Sequence, residues 1–217
     1  MTSVVTELAL EQLQPGDRLT YHGVHWQVID YSTYDDANGY QTAEWLLRSP
    51  AGKEYYLLQE VDPQSPDSTV HWYLAEEINI SQVSQPGFAS GLPTYLWREM
   101  QEQKPPYPEL QVFGRLYSFE SQTQGNYESD TGEAPRITWD YWDQTRQWNL
   151  AIEAWPQERV VHAYSTRVVL PEEFSDIEHG AQPSPSLLQN SAAAIPAWKL
   201  RVAWSVLIVG ILMMLFG

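Results

Sequence analysis

The histidines are the residues best suited to bind a metal. His22 and His25 are three positions apart, and with His71 or His162 and a carboxylate they could bind zinc through imidazole nitrogens. That spacing brings side chains together on a helix, whereas the local pattern predicts a strand or turn, in which successive residues point to opposite faces. We therefore expect solvent-exposed turn histidines and no metal site.

Carboxylates form several short clusters, and two of them could do chemistry. The clusters are Asp35-Asp36, Glu76-Glu77, Glu128-x-Asp130-x-x-Glu133, Asp140-x-x-Asp143 and Glu172-Glu173. The third could bind calcium, but it lacks the alternating ligands of the twelve-residue calcium loop. Asp140 and Asp143 could serve as the acid and base of a glycosidase, yet nothing in the sequence marks a pocket around them. The pattern favours solvated loop charge.

No motif of nucleophilic or nucleotide-dependent catalysis occurs in the chain. There is no Gly-x-Ser-x-Gly, no Walker loop and no Gly-x-Gly-x-x-Gly. The absence of cysteine excludes disulfides, thiolate zinc sites and thiol chemistry. The sequence therefore predicts no catalytic residue and no cofactor. It leaves enzymatic activity uncertain and favours a protein that is not an enzyme.

Aromatic residues offer a different kind of site. Trp and Tyr dominate binding hot spots, and five of them are close in sequence: Trp139, Tyr141, Trp142, Trp148 and Trp155. Strand alternation puts Trp139 and Tyr141 on one face and Trp142 on the other, so one set should be buried. Any that remain exposed are predicted contacts for a peptide, protein or carbohydrate.

Short alternating segments separated by turn residues predict that these side chains are carried by β-strands. Arg18–Tyr21 leads through His22-Gly23 into Val24–Tyr31, and residues 43–48 pair with residues 54–59 across a turn containing Gly52. Residues 70–74 and 78–83 are predicted as shorter strands. Polar loops are expected at residues 32–41 and 122–135.

The order of features repeats after about ninety residues. Gly23-x-x-Trp26-x-Val28 is echoed by Gly114-x-x-Tyr117-x-Phe119, which suggests a duplicated β-module, although an aromatic-rich β-protein also produces such matches by chance. The predicted fold class is mainly β: two similar antiparallel modules, sandwich or small barrel-like, form one globular head followed by a C-terminal transmembrane helix. The predicted boundaries are 1–84 and 109–177 for the half-modules, 85–108 for a Pro-rich connector with a short helix at 94–103, 178–197 for a flexible tether and 198–217 for the helix.

The C-terminal segment predicts membrane attachment. Residues 202–217 contain no charge, and at about 1.5 Å per residue they span roughly 24 Å, a marginal crossing that flanking residues can extend. Trp198 and Trp204 suit the interface, and Lys199 and Arg201 precede the span, so the N-terminal domain should face the cytoplasm. A buried terminal helix of the globular part is the alternative.

Net charge separates the two regions. All 28 acidic residues and ten of the twelve basic residues lie in residues 1–178, giving −18, whereas the remainder carries +2. Scarce, scattered Lys and Arg argue against a nucleic-acid partner. A strongly acidic head disfavours lying flat on anionic lipid and favours cationic partners.

Several short motifs in order resemble a known bacterial family. They are Pro15-Gly16-Asp17, Gly23-x-x-Trp26-x-Val28, Glu44-Trp45-x-Leu47, Phe113-Gly114-x-x-Tyr117, Ile152-Glu153-x-Trp155 and Leu170-Pro171-x-x-Phe174. Together they make residues 8–176 similar to the domain-of-unknown-function family 4178. The resemblance implies a β-rich domain and no catalytic residue.

These observations lead to two functional hypotheses. The first is a membrane-anchored, cytoplasm-facing interaction or assembly module whose partners are other membrane proteins. Confinement to the bilayer would raise its effective concentration near them. The alternative is a small-ligand or cation sensor, or a hydrolytic enzyme, with a site in the groove between the two β halves.

Overall fold

A computed structural model describes residues 5–35, 41–61, 70–87, 107–129 and 132–180. Within these ranges the chain is almost entirely β-structure, which confirms the mainly-β prediction. The elements are helix α1 (Glu7–Glu11) and strands β1 (Arg18–Tyr21), β2 (Val24–Asp35), β3 (Gln41–Arg48), β4 (Glu54–Val61), β5 (Val70–Ile78), β6 (Glu109–Val112), β7 (Arg115–Ser129), β8 (Gly132–Asp143), β9 (Trp148–Trp155), β10 (Val160–Val168) and β11 (Phe174–Glu178), with 3-10 turns at Ile80–Gln82 and Pro171–Glu173.

The eleven described strands form one antiparallel sheet. Their order is β11-β1-β2-β3-β4-β5-β10-β9-β8-β7-β6, with β11 and β6 at its ends. The expected sandwich or closed barrel is therefore replaced by a single sheet that does not close. Alternating strands and short turns do not distinguish these arrangements, because the same meander can close, stack or stay open.

The predicted membrane helix falls outside the described residues. So do the predicted helix at 94–103 and the tether beyond Gly180. Within the described ranges, no helix is both long enough and apolar enough to cross a membrane.

The chain divides into two compact units, here called unit 1 and unit 2. Unit 1 takes the described residues up to Ala75 and again from Val168, and unit 2 takes Glu76–Arg167. Each has its own apolar cluster. In unit 1 this cluster surrounds Trp45, whose indole donates to the Leu13 carbonyl at 3.0 Å and stacks on Trp72. In unit 2 it surrounds Trp139 and Tyr141.

The two predicted hairpins of the first half are confirmed. β1 pairs with β2 around His22-Gly23, and β3 pairs with β4 across Ser49–Lys53. Positive φ angles of 48° and 74° at His22 and Gly23 indicate a type I′ turn, which matches the twist of the flanking strands and favours glycine at its second position.

Unit 2 contains the same hairpin 91 residues later. β6 pairs with β7 around Phe113 and Gly114, whose φ angles are 49° and 79°. A bulge follows each turn at the same distance, at Ile29 between β2 and β3 and at Glu120 between β7 and β8. Each long strand also donates a backbone bond of 2.8 Å next to its bulge, from the Val28 N–H to the Asp17 carbonyl and from the Phe119 N–H to the Pro108 carbonyl.

Two local predictions were wrong. Residues 80–82 form a 3-10 turn rather than a strand. The Asn79 side chain accepts a hydrogen bond from the Ser81 N–H, and the Gln82 side chain accepts one from the Asn79 N–H. The described parts of the two segments expected as loops are instead paired strand: residues 32–35 pair with 41–44, and residues 122–129 pair with 132–139. Backbone pairing does not require apolar side chains, so polar composition alone misled the loop prediction.

The two chain segments of unit 1 are joined at Asp17. Its carboxylate accepts from the N–H of Gly180 at 2.8 Å, from the N–H of Gln14 at 2.9 Å and from His179 Nδ1 at 2.9 Å. Partial burial alone would raise the pKa of Asp17, but these bonds bring it below its ordinary value. Asp17 thus fixes the end of β11 beside the start of β1.

Candidate functional site

Asp143 organises the turn between β8 and β9. Its carboxylate accepts from the Thr145 hydroxyl at 2.6 Å and from the N–H groups of Gln147 and Trp148 at 3.0 Å. Partial burial would raise the pKa of Asp143, but these bonds and the nearby Arg115 bring it below its ordinary value. Arg146 lies in this turn with a φ of 58°. Asp143 therefore fixes the point from which the Arg146 side chain extends.

A cavity of about 580 Å³ opens beside this turn within unit 2. Ser118 and Trp142 oppose each other in the β7–β8 register, and Glu120 is the extra residue of the bulge next to them. We call it the Trp142 cavity; it is lined by Glu109, Arg115, Leu116, Ser118, Glu120, Trp142, Asp143, Gln144 and Arg146. Its volume lies within the range of small-molecule sites.

Two N–H groups of the lining residues lack a hydrogen-bond partner. They are Trp142 Nε1 and Arg146 Nη1, and both atoms are shielded from bulk water. The Trp142 side chain is 8% exposed. A buried donor without an acceptor costs about 1–3 kcal/mol, so proteins seldom keep one without a reason. A ligand acceptor that reached either atom would give it the missing partner.

Four charged residues of the lining already interact within the protein. Arg146 Nη2 pairs with Glu120 at 2.9 Å, and the Arg115 guanidinium lies 3.9 Å from the centre of the Trp148 ring. The Asp143 oxygens accept the bonds of the turn. Among these four residues, the buried side-chain atom left without a partner is a donor, Arg146 Nη1.

Strands β8, β9 and β10 of unit 2 carry a set of polar side chains that is buried. Ile137, Trp139 and Tyr141 of β8 belong to the apolar cluster of unit 2, so alternation turns the side chains between them to the opposite face. We call that set the buried polar face; its members are Arg136, Thr138, Asp140, Trp142, Asn149, Glu153, Trp155 and His162, all less than 9% exposed. Charged side chains are almost never so buried unless they are paired.

Arg136 and Glu153 form the central ion pair of this face. Arg136 Nη1 lies 3.3 Å from Glu153 Oε2, and neither side chain is exposed. Burial raises the pKa of Glu153 to about 7, although Arg136 and His162 act to lower it. On β10, His162 Nδ1 lies 2.9 Å from Glu77 Oε1. Glu153 is therefore a carboxyl group whose charge changes near neutral pH.

Asp140 is held in the same face by neutral groups. Asn149 donates to its Oδ1 at 3.3 Å, and the Ser121 hydroxyl lies 3.4 Å from its Oδ2. Complete burial raises the pKa of Asp140 well above its ordinary value. Asn149 Oδ1 and Trp155 Nε1 are buried in this face without hydrogen-bond partners. The predicted acid–base pair of Asp140 and Asp143 is thus divided, since Asp140 lies fully buried in the polar face while Asp143 accepts the bonds of a turn.

Comparison with protein families places this arrangement in a known group. The model of the family described as domain of unknown function DUF4178 matches residues 14–171. The chain belongs to the DUF4178 family. No curated protein and no solved structure matches the chain. The resemblance inferred from the sequence is confirmed for the domain.

The structure of this DUF4178 domain separates the five predicted aromatic contacts. Trp139 and Tyr141 are fully buried in the apolar cluster of unit 2, and Trp155 lies in the buried polar face. Trp148 is half-buried under Arg115. Trp142 lines the cavity. The predicted flanks of the membrane span, Trp198, Lys199, Arg201 and Trp204, lie outside the described residues.

Metal-ligating side chains do not cluster in the described part of this DUF4178 domain. Across residues 5–35, 41–61, 70–87, 107–129 and 132–180, no group of three or more His, Asp or Glu side chains could hold a metal ion. His22 lies 3.5 Å from Glu173, and His25 Nδ1 lies 3.0 Å from the Thr20 hydroxyl. The side chains of the predicted calcium cluster at 128–133 lie outside the description.

Sequence reasoning missed Arg136, Arg146 and Asn149 as site residues. The sequence does show that strands β8 and β9 alternate apolar residues with Arg136, Asp140, Asn149 and Glu153. The same alternation is typical of a strand whose polar face meets solvent, so it does not indicate a buried site. Only the structure shows that this polar face is buried.

Proposed function

We propose that this chain is a membrane-associated binding module that takes up a small polar ligand in the Trp142 cavity. One observation carries the proposal: Trp142 Nε1 and Arg146 Nη1 are buried donors without partners, and their residues line a cavity of about 580 Å³. A site that hydrogen-bonds its ligand rejects analogues lacking the acceptor, because the protein group would then stay unpaired. The proposal requires a ligand with acceptor oxygens and requires no bond-making step.

Substitution of Trp142 by Phe tests the proposal. The change removes the unpaired N–H and keeps an aromatic ring; relief of the unsatisfied donor and loss of buried ring area oppose each other, so we expect the stability of the unliganded protein to change by less than about 1 kcal/mol. A panel of carboxylates, phosphates and polyols should contain compounds that raise the melting temperature of the wild type, and Trp142→Phe should reduce that response at least fivefold.

Trp155→Phe is the matched control, since it removes another buried, unpartnered indole N–H of unit 2 that does not line the cavity. It should respond to the panel as the wild type does. The proposal fails if no compound raises the melting temperature, or if Trp142→Phe and Trp155→Phe respond alike.

A partner protein at the β6–β7 hairpin is a second candidate function. Phe113 and Leu116, three positions apart, are 69% and 46% exposed on this hairpin, and exposed apolar side chains that form a patch mark contact sites. This observation supports the interaction or assembly role. A defined protein crosslinked in native membranes by the wild type but not by Phe113→Asn would favour it, whereas equal capture by both would contradict it.

Attachment to the membrane with the N-terminal domain in the cytoplasm is proposed from the sequence. Its support is the uncharged segment 202–217, preceded by Lys199 and Arg201 and flanked by Trp198 and Trp204. A ligand-binding domain held at a bilayer in this way could convey ligand occupancy to a neighbouring membrane protein.

We also propose that units 1 and 2 descend from one duplicated β-module. The support is the type I′ turn and the bulge that recur at an offset of 91 residues, together with the equivalent 2.8 Å backbone bond at each bulge. These features depend on backbone geometry, which chance matches of aromatic residues would not reproduce.

A further inference from the structure

Three residues that line the Trp142 cavity form a row across adjacent strands. Glu109 of β6 opposes Ser118 of β7, and Ser118 opposes Trp142 of β8. Leu110 and Val112 of β6 belong to the apolar cluster of unit 2, so strand alternation turns Glu109 to the other face, which also carries Trp142. Neighbouring strands lie about 4.8 Å apart, so the backbone positions of Glu109 and Trp142 are separated by roughly 10 Å. The short side chain of Ser118 leaves the space between these two longer side chains open.

The charged residues of the cavity leave one acidic group over. The lining contains three acidic and two basic residues, so it has a net charge of −1. Arg146 pairs with Glu120, and Arg115 interacts electrostatically with Asp143. The side chain of Glu109 is exposed and forms no ion pair with another described residue. The excess negative charge of the cavity therefore lies at the β6 end of the row.

A ligand in the cavity would change the surroundings of Glu109. It would displace water from the carboxylate, and a neutral group there would leave that charge without a partner. An anion would be repelled, whereas a cationic N–H group would form a charge-assisted hydrogen bond. At the other end of the row, the buried Trp142 Nε1 requires an acceptor. Leu116, two positions before Ser118 on the same face of β7, is 46% exposed and offers a contact for carbon atoms of the ligand.

We propose that the ligand of the Trp142 cavity is a small amine that also carries an oxygen acceptor. Its ammonium group binds the Glu109 carboxylate, and its oxygen accepts the N–H of Trp142. This inference rests on the proposed function and narrows its ligand to one charge class. Glu109 selects the charge of the ligand and Trp142 selects its acceptor, so Glu109 is a specificity-determining residue of the site.

Matched pairs of compounds, titrated calorimetrically into the full chain at pH 7 and constant ionic strength, test this inference. Each pair contains a compound with an amino group and its counterpart without one. The pairs are γ-aminobutyrate and butyrate, 2-aminoethyl phosphate and ethyl phosphate, and glucosamine and glucose. In at least one pair the amino compound should bind about tenfold or more tightly than its counterpart, because it alone pairs with the Glu109 carboxylate.

Two substitutions of Glu109 test whether this residue is the source of the preference. Glu109→Gln removes the charge and keeps the side-chain size, so both members of a pair should then bind with affinities within about twofold of each other. Glu109→Lys should reverse the order of the first pair, so that butyrate binds more tightly than γ-aminobutyrate. Glu158→Gln is the matched control, because it removes the same charge from an exposed turn residue of unit 2 that does not line the cavity. It should keep the wild-type preference.

The amine ligand is overturned if the wild type binds both members of every pair equally, or if Glu109→Gln keeps the same preference as Glu158→Gln. In either case, binding that is weakened by Trp142→Phe would leave the proposed function standing while this inference failed. Absence of binding by every compound would overturn both.

Discussion

Glu153 is the residue whose placement is hardest to explain by stability. Its carboxyl group is fully buried beside Arg136, and removing one partner of a buried pair usually costs about 3–5 kcal/mol, although a well-packed apolar pair can replace both at little cost. A carboxyl group kept there with a pKa of about 7 has a native proton occupancy that changes near neutrality. The net charge of the buried polar face therefore changes with pH near neutrality.

We expect Glu153→Gln to remove a pH dependence of stability. The native pKa lies above the ordinary value of 4.5, so between these values the native state binds more protons than the unfolded state, and stability falls as pH rises. The free energy of unfolding attributable to this group should decline by up to about 3 kcal/mol between pH 4.5 and 7. Urea titrations of the wild type and Glu153→Gln at several pH values measure the difference in slope.

The double variant Arg136→Met, Glu153→Leu is the control for loss of the ion pair. It removes both charges and should also lose the pH dependence, while staying closer to wild-type stability than Glu153→Gln. Parallel pH profiles in the wild type and both variants would show that another group carries the dependence.

At the scale of elements, the β6–β7 hairpin combines strain with exposure. Phe113 adopts a left-handed backbone with a φ of 49°, a conformation that costs a bulky residue free energy, and its ring is 69% exposed. Phenylalanine gains little there from folding. Its presence at a strained, solvated turn is consistent with a contact made outside the chain.

Phe113→Asn should stabilise the protein by about 0.5–1 kcal/mol, because Asn-Gly is the preferred pair for a type I′ turn. Chemical denaturation gives the value from the urea midpoint. Gly114→Ala should have the opposite sign, since its φ of 79° strains an L-residue although no atom lies within 4 Å of the added methyl. Stabilisation by both variants, or by neither, would contradict the turn geometry.

The hairpins could be predicted from the sequence because glycine at a turn and alternating residues are local signals. His22-Gly23 and the Gly52 turn are examples. The burial of the polar face could not be predicted from the sequence, because the alternation around Asp140 and Glu153 is the same whether the polar side of the strand contacts water or protein. Trp142 was selected as an aromatic contact, but its cavity depends on the bulge at Glu120 and on a turn set by Asp143, which sequence spacing does not reveal.

Unit 1 also has a cavity, of about 210 Å³, whose lining includes Gln27 and Arg48 near the bulge of β2, so a cavity lies near the bulge in each unit. A bulge re-aims side chains and raises the local twist, so the same irregularity can create a recess wherever the motif recurs. In unit 1 that recess is lined by Arg18 and Arg48, and in unit 2 by Trp142 and Arg146. If the module was duplicated, the copies kept the recess and diverged in its chemistry.

At the scale of the whole molecule, an acidic region of −18 precedes a segment with a charge of +2. If residues 202–217 cross a membrane, the full chain should remain in the membrane fraction after an alkaline carbonate wash. Leu207→Lys with Leu212→Lys should release it, because each lysine near the middle of a span costs about 2.5–3.5 kcal/mol of insertion free energy.

The control pair Leu187→Lys, Leu188→Lys adds the same charge before the span and should stay with the membranes. Release of the wild type, or equal release of both variants, would show that charge or a bound partner, rather than a span, determines where the chain resides.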